Sequence, residues 1–281
     1  MTRMVILDFD GTLTDAEQEG VPYREGYLND VAILAGQPVD DVMKLSEGFE
    51  REVLAREGEF GWRFGGAIVA PASVDPYLRM MPVARMIFDH YQVFLEPSDR
   101  DRLLDGILYR YNYPRTRTVF RDGAAEALLA LPRDKTWVVT NSHTEPVQNK
   151  IRTLGESVPR QLDWLVDRVH GNARKYVLDA DFTEVDERMA LPGLERPILL
   201  RRANYHRVLE GLRREAGVAW SDVVVIGDIF ELDLSLPLAM GATVGLMINP
   251  FTPSYEKAFL AEHPRGHLLE NLHQAIALAG S

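Results

Sequence analysis

Four short apolar runs punctuate the chain, Met4 to Leu7, Thr136 to Val139, Val223 to Ile226 and Thr243 to Ile248, and each stops at a polar cluster. Runs of this length without polar alternation read as strands buried on both faces, the habit of a parallel sheet. Between them the pattern changes to helical spacing. Ala124 to Leu131 reads as one helix, and Tyr205, Val208, Leu209 and Leu212 fall at i, i+3, i+4 and i+7, which gives another helix one buried stripe. A fifth strand is predicted near Trp164 to His170.

Strands alternating with helices predict a doubly wound α/β fold, a Rossmann-like parallel sheet. In such sheets ligands bind beyond the carboxyl ends of the strands, so the residues just after each strand carry the chemistry. The connection from Leu7 to Thr136 far exceeds the roughly 12 residues that a crossover needs. It is expected to fold as an inserted, mainly helical cap over residues 16–117, with the core formed by 1–15 and 118–281. Helices are predicted for Glu25 to Ala35, Asp40 to Ala55, Pro76 to Tyr91 and Ser98 to Tyr109, broken by a Gly- and Pro-rich stretch from Gly61 to Pro76. Glu17 and Glu19 are expected in the hinge into the cap. The connection from His143 to Arg201 carries no readable pattern after the fifth strand.

Composition narrows the chemistry. The chain has no Cys, which excludes disulfides, thiolate metal sites and a cysteine nucleophile, and suits a reducing compartment. Its net charge of -11 argues against a nucleic-acid partner, because phosphate backbones are held by clustered Lys and Arg. No apolar run approaches the ~18 residues of a membrane span, and the apolar start is too short for a signal-peptide core. A cytoplasmic protein without a membrane partner is expected.

The first strand runs into Asp8-Phe9-Asp10-Gly11-Thr12, which delivers two carboxylates to one strand end. Two unit charges about 4 Å apart at an effective dielectric near 20 repel by roughly 4 kcal/mol, so the pair calls for a cation, a shared proton or separate surroundings. Turn and cap roles would account for Asp10 and Gly11 but not for a second acidic cluster, Gly227-Asp228-Ile229-Phe230-Glu231-Leu232-Asp233, at the end of another strand. Oxygen ligands of this kind suit Mg2+. The second strand ends in Thr140-Asn141-Ser142, which offers hydroxyl and backbone N–H groups to a phosphoryl oxygen. Taken alone it reads first as a helix cap, with Glu145 as the reciprocal partner of Ser142.

The order of these motifs resembles the haloacid dehalogenase superfamily, in its phosphatase-like branch with a cap after the first motif. The resemblance implies a Mg2+-dependent hydrolase of a small phosphate ester. In it Asp8 attacks phosphorus to form an aspartyl-phosphate, while Asp10 protonates the leaving group and later activates water. As a general acid Asp10 must hold a proton at working pH. The resemblance further implies that Thr140, with Asn141 beside it, binds the phosphoryl group. Asp228 binds Mg2+ together with the Asp8 side chain and the Asp10 carbonyl, and Asp233 supports them. The family's third motif is usually a Lys at a helix start ahead of the acidic strand. Here that position holds Arg201-Arg202, and the helical stripe favours Arg202 as the phosphate-binding cation. A sugar-phosphate mutase shares these motifs, and a non-catalytic binding protein could use the same core. Retention of both Asp8 and Asp10 speaks against the latter.

Overall fold

The computed structural model of the chain describes residues 3–112, 117–158 and 161–280. Among them the strands are β1 (Met4–Leu7), β2 (Gly61–Phe64), β3 (Ala67–Pro71), β4 (Thr136–Val139), β5 (Val169–His170), β6 (Arg188–Met189), β7 (Ile198–Leu199), β8 (Val223–Gly227), β9 (Thr243–Met247) and β10 (Gly266–Leu269). The helices are α1 (Ala16–Ala35), α2 (Val39–Ala55), α3 (Pro76–His90), α4 (Pro97–Asn112), α5 (Ala124–Ala130), α6 (Thr144–Gly155), α7 (Asp163–Val166), α8 (Ala203–Ala216), α9 (Ser235–Met240), α10 (Ser254–Glu262) and α11 (Leu272–Gly280). No described helix is long and apolar enough to cross a membrane.

Six strands form one parallel sheet in the order β10-β9-β8-β1-β4-β5. The apolar runs are continuous because both faces of this sheet are covered. Met4 and Ile6 of β1 join Val223 and Val225 in one core, whereas Val5 and Leu7 join Val224 and Ile226 in the other. Helices α5, α6 and α11 pack the second core through residues such as Leu128, Ile151 and Leu278. Tyr205, Leu209 and Leu212 of α8 pack the first. Full burial of one such aliphatic side chain contributes about 1.5–3 kcal/mol, so the central strand is anchored on both sides. Chain order reverses across β1, with β4 on one side and β8 on the other, which makes the carboxyl end of β1 the switch point of the sheet.

The chain forms two compact units, the first made of Met1–Asp15, Phe64–Ala70 and Phe120–Ser281, the second of Ala16–Arg63 and Pro71–Val119. In the second, α1 to α4 bury Tyr23, Tyr27, Val31, Val83, Ile87 and Phe88 in a core of their own. Helix α1 starts at Ala16, so Glu17 and Glu19 lie in its first turn. Pro22 lies inside the helix and removes one backbone donor without ending it, which is why the sequence pattern suggested a start at Glu25. The two carboxylates tie the unit together: Glu17 accepts two hydrogen bonds from the Arg79 guanidinium, and Glu19 accepts one from the Val119 N–H. The Gly- and Pro-rich stretch holds the β2–β3 hairpin, closed by Gly65 and Gly66 at φ +58° and +83°. Two consecutive positive φ values make the two-residue turn whose twist matches paired strands.

The fifth strand is shorter than predicted. Trp164 falls in α7, and only Val169–His170 pairs with β4. Strand β10 was not anticipated, because Gly266-His267-Leu268-Leu269 carries only two apolar residues.

Candidate active site

Asp8 leaves the end of β1 with its N–H donated to the Ile226 carbonyl of β8, which fixes its backbone at the switch point. Asp228 and Asp233 arrive from the end of β8 and the short π-helical turn after it. One carboxylate oxygen from each of Asp8, Asp228 and Asp233 lies within 4.8 Å of the others, and all three residues are buried. Arg196 grips Glu231 with two hydrogen bonds of 2.8 and 2.5 Å, and the Tyr205 hydroxyl donates to the Asp233 carbonyl at 2.8 Å, so the turn carrying Asp233 is held at two points.

The cation in this cluster is Lys175. Its ammonium, 1% exposed, donates to Asp8 Oδ1 at 2.6 Å and to Asp233 Oδ1 at 2.7 Å. Burial alone works against that charge, but the neighbouring Asp233 and Asp8 carboxylates outweigh it and hold Lys175 well above the ordinary lysine value. Burial also lifts the Asp8 carboxyl to about 7, against the pull of Lys175 and with Asp233 and Asp10 adding to the rise.

Arg202 does not occupy this position, which corrects the sequence expectation. Its buried guanidinium donates to the carbonyls of Leu199, Lys175 and Val69 and makes no hydrogen bond to a carboxylate. Arg201 donates to the Ala180 carbonyl. Lys175 escaped notice because it sits neither at a helix start nor in a readable periodic segment. It lies on the loop that leaves β5, so inspection of the residues after each strand, carried to this fifth and shortest one, would have found it.

The other anticipated residues surround the cluster. Asp10 is partly exposed and accepts from the Ser142 hydroxyl at 2.6 Å and from Lys150 Nζ at 3.0 Å, so its surroundings are a hydroxyl and a cation. Ser142 therefore serves Asp10 and does not cap α6, whose N-cap is His143. Thr140 is buried, and its hydroxyl accepts from the Ser142 N–H. Asn141 Oδ1 accepts the Lys175 N–H at 2.8 Å, so it positions the lysine loop.

Gly11 lets these groups come together. It sits at φ +76°, and an added Cβ would come 1.9 Å from Asp228 Oδ2. Gly11→Ala is therefore expected to displace the Asp228 carboxylate and cost roughly 1–3 kcal/mol of stability. Urea unfolding of the variant should show the stability loss.

Lys175 pairs with Asp8 and Asp233, and Asp228 is a third buried carboxylate within 4.8 Å of them, so a divalent cation would offset the cost of burying these charges together. An all-oxygen donor set of this kind fits a hard cation. The Lys175 ammonium and the Ile229 N–H occupy both oxygens of Asp233, so Asp8 and Asp228 are the better placed ligands.

A doubly wound sheet with acids at its switch point and a cation between them puts a charged site where α/β folds bind their ligands. A sequence model of the haloacid dehalogenase-like hydrolase family matches residues 2–241, and the chain belongs to that family. No curated protein sequence matches it. Among solved structures it is similar to a haloacid dehalogenase-like protein of unknown function from Agrobacterium tumefaciens, at 15% identity and TM-score 0.53 over 99% of this chain and 97% of that one. A HAD hydrolase from Bacillus subtilis bound to magnesium is similar at 14% identity and TM-score 0.54 over 99% of both chains. A protein from Haemophilus somnus described as a predicted phosphoglycolate phosphatase is similar at 13% identity and TM-score 0.54 over 98% and 97%. These likenesses concern the fold.

Proposed function

We propose that the protein is a Mg2+-dependent phosphohydrolase that works through an aspartyl-phosphate on Asp8. The observation that carries this reading is the juxtaposition of Asp8, Asp228, Asp233 and Lys175 at the switch point, with Asp10 held beside them by Ser142 and Lys150. When bound by Asp8 and Asp228, Mg2+ would neutralise phosphate charge and orient its oxygens. An Asp8 oxygen attacks phosphorus as the bond to the leaving oxygen breaks, and Asp10 gives that oxygen its proton. Water then attacks phosphorus, Asp10 takes its proton, and the bond to Asp8 breaks to regenerate the carboxylate. Lys175 opposes the negative charge gathered around Asp8 throughout, and the Thr140 segment offers donors to the phosphoryl oxygens.

The net charge of -11 disfavours large polyanions as partners, so the substrate is taken to be a small phosphorylated metabolite. Phosphate release from a panel of small phosphate esters, measured with Mg2+ and with EDTA, tests the class. Release that requires Mg2+ is expected. Silence of the folded protein across the panel would favour a mutase or a binding role instead.

The cation must displace the proton that Asp8 holds up to about pH 7, so its affinity follows pH. Mg2+ binding measured by calorimetry is expected to weaken by up to about tenfold per pH unit below 7 and to level off above it. A flat profile from pH 5.5 to 8.5 would count against Asp8 as a ligand.

A further inference from the structure

The loop that carries Lys175 is strained. Asn172 and Arg174 hold φ values of +54° and +48°, and each such residue other than glycine costs on the order of 1 kcal/mol or more, so neighbours must hold the loop in place. Three of its restraints come from the core: Asn172 N–H donates to Ser142 O, Ala173 N–H to Thr140 O and the Lys175 N–H to Asn141.

Two more involve the β2–β3 hairpin, whose segment 64–70 clusters with the core unit. Arg202 is 0% exposed and spends its donors on carbonyls of three separate segments, Lys175 O at 2.5 Å, Val69 O at 3.1 Å and Leu199 O at 3.1 Å. A buried guanidinium is expensive to desolvate even with the Glu231 and Asp233 carboxylates nearby, and a fastener for the 198–202 segment would need only the Leu199 hydrogen bond. At the hairpin tip, the Phe64 ring packs edge-on against Tyr176, the residue after Lys175, with centroids 5.0 Å apart. Phe64 is 38% exposed, so it contributes little to the general core.

We infer that Arg202 and Phe64 are positioning residues for Lys175: the hairpin braces the strained 171–177 loop through Val69 and Tyr176, and this places the Lys175 ammonium between Asp8 and Asp233. The catalytic consequence rests on the phosphohydrolase reading, whereas the brace itself does not, so two readouts separate them. Phe64→Ala, at a partly exposed tip, is the primary variant, with Phe64→Tyr as the conservative control and Arg202→Lys as the second site.

Amide hydrogen exchange is expected to quicken across 171–177 in Phe64→Ala and Arg202→Lys while α8 and the sheet stay protected. In turnover of a phosphate ester, kcat is expected to fall by about tenfold to a hundredfold with KM little changed, as for a misplaced catalytic group, and Phe64→Tyr restores both readouts. Unchanged exchange at 171–177 in Phe64→Ala overturns the inference, and so does exchange that quickens equally across α8 and the sheet. If the wild type turns over no phosphate ester, the proposed function fails, and local exchange still decides whether the hairpin braces the loop.

Discussion

Asp8→Asn is expected to abolish turnover, by roughly 10^4-fold or more, because in the proposed mechanism Asp8 is the group that forms the covalent bond to phosphorus. The same variant is expected to gain stability when metal is absent. Burial holds the Asp8 carboxyl at about 7 in the folded chain against the ordinary 3.8 of an exposed aspartate in the unfolded chain, so the folded state keeps a proton that the unfolded state releases. The sign follows: stability from this group is complete below about pH 4 and is lost as pH rises toward 7, by on the order of a few kcal/mol. Urea unfolding in EDTA at pH 8 should therefore find Asp8→Asn at least as stable as the wild type, and the wild type less stable at pH 8 than at pH 5. An inactive variant that was also less stable at pH 8 would show that Asp8 is a structural partner of Lys175 above all.

Lys175→Met is expected to fail in both respects. It leaves Asp8, Asp233 and Asp228 buried together with no cation among them, and removal of one partner from a buried ion pair typically costs about 3–5 kcal/mol. In the proposed mechanism, loss of the charge that opposes the negative charge around Asp8 should lower kcat by roughly 10^3-fold. Saturating Mg2+ should return part of the stability, since it supplies positive charge to the same carboxylates, but not the rate. Retained activity in Lys175→Met would return the cationic role to Arg202.

The sequence was most informative where one physical demand dominated. A strand buried on both faces must be apolar throughout, and β1, β4, β8 and β9 declared themselves in that way. Carboxylates grouped after such strands are costly without a counter-charge, and this makes Asp8, Asp10, Asp228 and Asp233 stand out in the sequence. Lys175 did not stand out, because a single lysine on an irregular loop has no periodicity, and its meaning arises only when β5 pairs with β4 and brings it to carboxylates from β1 and from the turn after β8. Arg202 drew attention for its place at the start of α8, but the fold turns its guanidinium to three carbonyls. The β2–β3 hairpin was obscured in a similar way. Gly65-Gly66 reads as a generic break in a Gly- and Pro-rich stretch, and only the positive φ of both residues makes it a turn between paired strands.

The central claim is that Asp8 carries the phosphoryl group, and mass spectrometry of the Asp8 peptide after acid quench of a turnover mixture tests it most directly. The account predicts a phosphate adduct on Asp8 that forms with substrate and Mg2+, disappears with EDTA and is absent in Asp8→Asn. Steady phosphate release with no adduct on Asp8, persisting in Asp8→Asn, would contradict it.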